Sequence, residues 1–140
     1  MPPLLKRERL MAENPQNPRV LLVEDEEDLR ELFAEVLGTR FSVETASNGG
    51  VALARLQNEA FALLITDLQL PIMGGSELLR RFQTMPARQQ TAVVAISANP
   101  QPLARVARAG TADQTLRKPF RATELVRCAM RLVSEGASAP

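Results

Sequence analysis

Apolar and polar positions along this chain fall into blocks, and the period of the blocks changes in a regular way. "RVLLV" (Arg19–Val23) is a short β-rich run. Leu29, Leu32, Phe33, Val36 and Leu37 then recur at helical spacing until Gly38 ends the pattern. "FSVET" at 41–45 alternates like a second strand, and Leu53 and Leu56 mark a short helix after Gly49 and Gly50. "FALLIT" at 61–66 predicts the third strand, followed by a helix through Leu78, Leu79 and Phe82 that stops before Pro86. "TAVVAIS" at 91–97 predicts the fourth. Asn99 and Pro100 open a helix that runs through Ala109 and closes at Gly110. "QTLR" (Gln114–Arg117) is a short fifth strand, and Leu125, Ala129, Leu132 and Val133 place one apolar stripe on a last helix.

Five strand–helix units in alternation predict an α/β domain, a parallel sheet covered by helices on both faces. Strands buried on both faces read as continuous apolar runs, and the first, third and fourth do. The first 18 residues carry four prolines and two asparagines and read as a flexible arm, with a helical turn near residues 6–12. Residues 19–135 form the domain, and 136–140 a polar tail. The initiator methionine and the tail suggest a stand-alone unit.

Composition narrows the chemistry. The chain has 140 residues, and 45% of them are hydrophobic, enough for one domain with a real core. Seventeen basic residues against sixteen acidic ones argue against a dedicated nucleic-acid binder. There is no histidine, which excludes Ser-His and Cys-His catalysis, a histidine zinc site and a phosphohistidine on this chain. The lone Cys128 cannot form an internal disulfide, which fits a reducing cytoplasm. No apolar run approaches the length of a membrane span, and the start is no secretory signal.

In doubly wound sheets, ligands sit beyond the carboxyl ends of the strands. Glu24 to Asp28, all acids, follow the first strand; Asp67 follows the third, Ser97 ends the fourth, and Lys118 with Pro119 follows the fifth. Two carboxylates at ~4 Å repel by roughly 4 kcal/mol at an effective dielectric of 20, so such a cluster does not serve stability. A hard divalent cation such as magnesium relieves it, and the lysine can hold a second anion. Each residue also has a plainer reading: Glu27 and Asp28 as first-turn acids, Asp25 as a helix cap, Ser97 as a loop serine, Lys118 as a solvated lysine. Together, at the ends of successive strands, they define a candidate site.

Four stretches, "LLVEDEEDLRELF", "LLITDLQLPIMGG", "VVAISA" and "LRKPF", occur in the order and spacing of a receiver domain of two-component response regulators, which the chain resembles. The resemblance implies a flavodoxin-like doubly wound five-stranded parallel sheet, order 2-1-3-4-5, with five helices. It implies that Asp67 accepts a phosphoryl group. Glu24, Asp25, Asp67 and the backbone carbonyl of Gln69 would hold Mg2+. Ser97 would turn toward the phosphoryl group, and Lys118 would contact its oxygens. Pro119 matches the proline that commonly follows a cis peptide. Gln69 and Asn99 match positions that tune the lifetime of the acyl phosphate. The implied phosphodonor is a histidine kinase or histidine phosphotransfer protein, and the output is contact with a downstream protein, without direct contact to nucleic acid or membrane. A phosphorylation-linked homodimer stays open. In this reading the chain is not an enzyme beyond its own phosphorylation and dephosphorylation.

Thr115 departs from the pattern, because the family commonly has an aromatic switch residue there. Output past Thr115 is therefore expected to take another route, and a phosphorylation-independent interaction module of the same fold stays as an alternative. A magnesium-dependent phosphohydrolase with an aspartyl nucleophile is disfavoured, because those usually carry a second aspartate where this chain has Gln69. Arg105, Arg108, Arg117, Arg121, Arg127 and Arg131 cluster late in the chain, either as a solvated face or as a surface for an acidic partner.

Overall fold

Five strands pair in parallel in the order β2-β1-β3-β4-β5. They are β1 (Arg19–Val23), β2 (Ser42–Ala46), β3 (Leu63–Asp67), β4 (Ala92–Ser97) and β5 (Gln114–Arg117). Between and after them run α1 (Glu27–Leu37), α2 (Gly49–Asn58), α3 (Gly75–Phe82), a short 3-10 helix (Pro86–Gln90), α4 (Pro100–Ala109) and α5 (Ala122–Ser138). This computed structural model describes residues 17–138, and the helical turn expected near residues 6–12 lies outside them. Five α-helices stand among the described residues, and the last continues into the stretch read as a tail. No helix among those residues is long and apolar enough to cross a membrane.

Strand alternation divides the core in two. Leu21, Val23, Leu64, Val93 and Ala95 face one side, where they meet Leu56 of α2, Leu78 and Phe82 of α3, and Leu103 of α4. Val20, Leu22, Leu63, Ile65, Val94 and Ile96 face the other, against Phe33 and Leu37 of α1 and Leu125 and Ala129 of α5. The greasy strands are greasy throughout because both faces are covered. Each fully buried Leu, Ile or Phe stabilises the fold by roughly 1.5–3 kcal/mol before entropy is counted.

Local chemistry sets the boundaries. The Asn48 side chain accepts from Val51 N at 2.8 Å and starts α2, and the Asn99 side chain accepts from Gln101 N at 3.0 Å and starts α4. Gly110 closes α4 at φ 73°, a left-handed position that glycine adopts without strain. Gly38 ends α1 in the right-handed region instead, so its role there is not a left-handed cap. The residue that precedes α1 is Glu26, which removes Asp25 as the cap. Strand β3 begins two residues later than the apolar run suggested. Phe61 stays outside the ladder as a buried plug, with Arg19 stacked 4.5 Å above its ring and its carbonyl accepting from Thr91 Oγ1 at 2.7 Å. At its other end the strand runs one residue further than the apolar run and includes Asp67 itself.

Candidate functional site

The carboxyl ends of β1, β3, β4 and β5 bring Glu24, Asp25, Asp67, Ser97 and Lys118 to one edge of the sheet. Glu24 and Asp67 are only 2% and 5% exposed, whereas Asp25 is open to solvent. Carboxylate oxygens of the three lie within 4.8 Å of one another. The Lys118 ammonium donates to Glu24 Oε1 at 3.0 Å and to Asp67 Oδ2 at 2.5 Å. The other oxygens of these two acids accept backbone N–H groups, Glu24 Oε2 from Glu26 at 3.2 Å and Asp67 Oδ1 from Gln69 at 2.9 Å. Each oxygen of the two buried carboxylates thus has one hydrogen-bond partner, as burial requires. No hydrogen bond joins the Asp25 carboxylate to any described residue.

Backbone packing holds the acids in place. Glu24 N donates to Ala46 O at 3.1 Å, and Leu68 N to Ile96 O at 2.8 Å, so both acids continue a ladder. Thr66 Oγ1 donates to the Asp67 carbonyl at 2.8 Å. Gly75 N donates to Leu68 O at 3.0 Å, and its Cα packs so closely on this backbone that a Cβ would run into the Asp67 carbonyl. Lys118 N donates to Ser97 O at 2.9 Å, and the peptide between Lys118 and Pro119 is cis.

The electrostatics follow from burial and pairing. Burial holds the Glu24 carboxyl above its ordinary range, despite the hydrogen bonds from Lys118 and the Glu26 amide, and the neighbouring Asp67 charge adds to the rise. Burial pulls Lys118 down, but hydrogen bonds to Asp67 and Glu24 outweigh it and set the ammonium above its ordinary value. Three ionised carboxylates and one ammonium leave a formal charge of about two negative units, which one hard divalent cation balances. The donor set is all oxygen, and one carboxylate stands open to solvent, so the residues present fit magnesium.

The remaining expected residues sit nearby with different engagements. The buried Ser97 hydroxyl accepts from Asn99 N at 3.0 Å. The Asn99 side chain is occupied in capping α4. Gln69 is exposed. Thr115 is half-buried on the edge strand β5, in register with Ala95. The late arginines are spread over α4, β5, the loop after it and α5, all exposed, and Arg131 pairs with Glu135 and Gln114. One residue at the site was not anticipated. Arg30 of α1 donates from Nη1 to the Glu24 carbonyl at 2.9 Å and to the Asp25 carbonyl at 3.3 Å. A base after five consecutive acids suggests pairing with a carboxylate, and the sequence carries no signal for the carbonyls that it takes instead.

A doubly wound parallel sheet ordered 2-1-3-4-5, with acids and a lysine at its carboxyl edge, defines a flavodoxin-like domain of the receiver class. The family model for the response regulator receiver domain matches residues 20–129, and the chain belongs to that family. Among curated relatives, the response regulator receiver protein CpdR of Brucella abortus is 34% identical over 113 residues, 77% of this chain and 90% of CpdR. The sensor histidine kinase TmoS of Ectopseudomonas mendocina is 35% identical over 128 residues, 88% of this chain but 13% of the kinase. Among solved structures, the chemotaxis response regulator CheY4 of Vibrio cholerae aligns with a TM-score of 0.74 and 25% identity, over 83% of this chain and 98% of CheY4. Residues 20–129 are therefore a two-component receiver domain, which is a signalling domain.

Proposed function

We propose that Asp67 accepts a phosphoryl group from a phosphohistidine on a partner protein, in a magnesium-dependent reaction, and that residues 19–135 act as a receiver in the cytoplasm. The observation that carries this reading is the meeting of Glu24, Asp25 and Asp67 within 4.8 Å, with Lys118 bonded between two of them. A carboxylate oxygen of Asp67 would attack phosphorus as the P–N bond to the donor imidazole breaks, and the imidazole, protonated on its other ring nitrogen, would leave as the neutral base with the P–N electron pair. Such a transfer needs positioning and charge neutralisation more than acid–base groups, so the lack of histidine costs nothing here. Magnesium, when bound by Glu24, Asp25, Asp67 and the Gln69 carbonyl, would supply charge neutralisation on the phosphoryl oxygens. Lys118 would turn from the carboxylates to those oxygens, and the Ser97 hydroxyl would donate to them.

The donor is a histidine kinase or a histidine phosphotransfer protein, and the output is contact with a downstream protein. Acetyl phosphate tests the core of this. With Mg2+, wild-type protein should gain one phosphoryl group that hydroxylamine removes, and Asp67→Asn should gain none. Equal labelling of the two proteins would sink the assignment.

A further inference from the structure

Arg30 stands out by what it does not bind. Elsewhere in the described residues several arginines pair with carboxylates: Arg55 with Glu44 and Glu59, Arg80 and Arg81 with Glu77, Arg88 with Asp113. Arg30 lies in the most acidic part of the chain, just after Glu24, Asp25, Glu26, Glu27 and Asp28 and directly before Glu31, yet its side chain bonds none of their carboxylates. Its guanidinium instead takes two backbone carbonyls, those of Glu24 and Asp25.

That choice has two consequences. The Arg30 guanidinium leaves the carboxylates of Glu24 and Asp25 to the site, where Glu24 already meets Lys118. The loop from β1 to α1 is also pinned where it must be stiff. Glu24 is held from β2 through its N–H, at 3.1 Å from Ala46 O, and its carboxylate holds the Glu26 amide. Asp25 has no such side-chain anchor, so its aim toward Glu24 and Asp67 depends on its backbone. Only Arg30 among the described side chains bonds the Asp25 carbonyl.

We infer that Arg30 is a positioning residue for the cation site, fixing the Glu24–Asp25 backbone so that both carboxylates face Asp67. The inference rests on the proposed magnesium-binding reading and adds a residue to it. Groups that orient metal ligands without touching the metal typically change affinity 10–100-fold when removed.

The sign of the effect separates this role from plain electrostatics. Deleting a positive charge beside an anionic site should tighten Mg2+ binding. Deleting a positioning group should weaken it. The test is Mg2+ titration of the full chain, followed by backbone amide shifts in NMR, for wild type, Arg30→Gln and Arg30→Lys. We expect the half-saturating Mg2+ concentration to rise about tenfold in Arg30→Gln and to recover part of the way in Arg30→Lys, which keeps a donor. Labelling by acetyl phosphate should then reach the wild-type rate once Mg2+ is saturating. Unchanged or tighter Mg2+ binding by both folded variants overturns the inference while leaving the phosphoacceptor reading intact. A wild-type protein that neither binds Mg2+ nor labels at Asp67 overturns both. Thermal unfolding without Mg2+ reports whether each variant is folded, and Arg30→Lys provides the decisive comparison if Arg30→Gln is not.

Discussion

Lys118 Nζ lies 2.5 Å from Asp67 Oδ2, although 51 residues separate the two in sequence. The same ammonium bonds Glu24 Oε1 at 3.0 Å, so one lysine joins the ends of β1, β3 and β5. A lysine whose folded pKa is raised adds stability that is present below its unfolded value of 10.5 and lost as pH rises through the folded value. Chemical denaturation should therefore show falling stability in that alkaline window. Lys118→Met should lack this part of the decline. At neutral pH the variant should lose up to about 3 kcal/mol, because two buried acids are left without their cation. Added Mg2+ should restore more stability to Lys118→Met than to wild type.

Glu24 carries the opposite sign. Its folded pKa lies above the unfolded value of 4.5, so between the two the native state holds more protons. Stability from this group falls as pH rises through that window. Glu24→Gln removes the buried charge while keeping the shape. In the absence of metal its unfolding midpoint at neutral pH should exceed that of wild type. The stabilisation that Mg2+ confers should shrink at the same time. A lower metal-free midpoint for the variant would show that the bond to Lys118 outweighs the cost of burial.

Most of the fold could be read in the sequence because two-sided burial writes long apolar runs. "RVLLV" and "QTLR" match β1 and β5 residue for residue. The boundary of β3 could not be read, since nothing local tells Phe61 that it packs under Arg19 instead of joining the ladder. The site was legible as residue types at strand ends. What stayed hidden was engagement. Asn99 is tied up as a helix cap, and Arg30 reaches carbonyls that any residue would supply. Backbone acceptors leave no mark on the sequence that binds them.

Gly75 ties the loop after Asp67 to the site. A Cβ there would meet the Asp67 carbonyl and would lie 2.7 Å from Leu68 Cα. Both obstacles are backbone, so neither can rotate away. Gly75→Ala should destabilise the protein by about 1–3 kcal/mol, the usual range for overpacking. Because the displaced backbone is that of Asp67, Mg2+ affinity should fall as well. Gly110→Ala is the control: its Cβ meets nothing within 4 Å but must hold a positive φ, so it should lower stability and leave Mg2+ binding unchanged.

Asn99 and Gln69 separate stability from lifetime. The Asn99 side chain accepts from Gln101 N and caps α4, while its own N–H donates to the Ser97 hydroxyl. Replacing its side chain removes the cap and keeps the bond to Ser97. Asn99→Ala should therefore cost about 1 kcal/mol in denaturation, and Asn99→Ser, which can still cap, should recover most of it. Gln69 is exposed beside Asp67, and only its N–H is committed to that carboxylate. If Asp67 is phosphorylated as proposed, the Gln69 amide would be placed to meet water approaching the acyl phosphate. Decay of the phosphorylated protein, followed after removal of acetyl phosphate, should change at least threefold in Gln69→Ala and less than twofold in Asn99→Ser. Equal decay rates in Gln69→Ala and wild type would take Gln69 out of lifetime control.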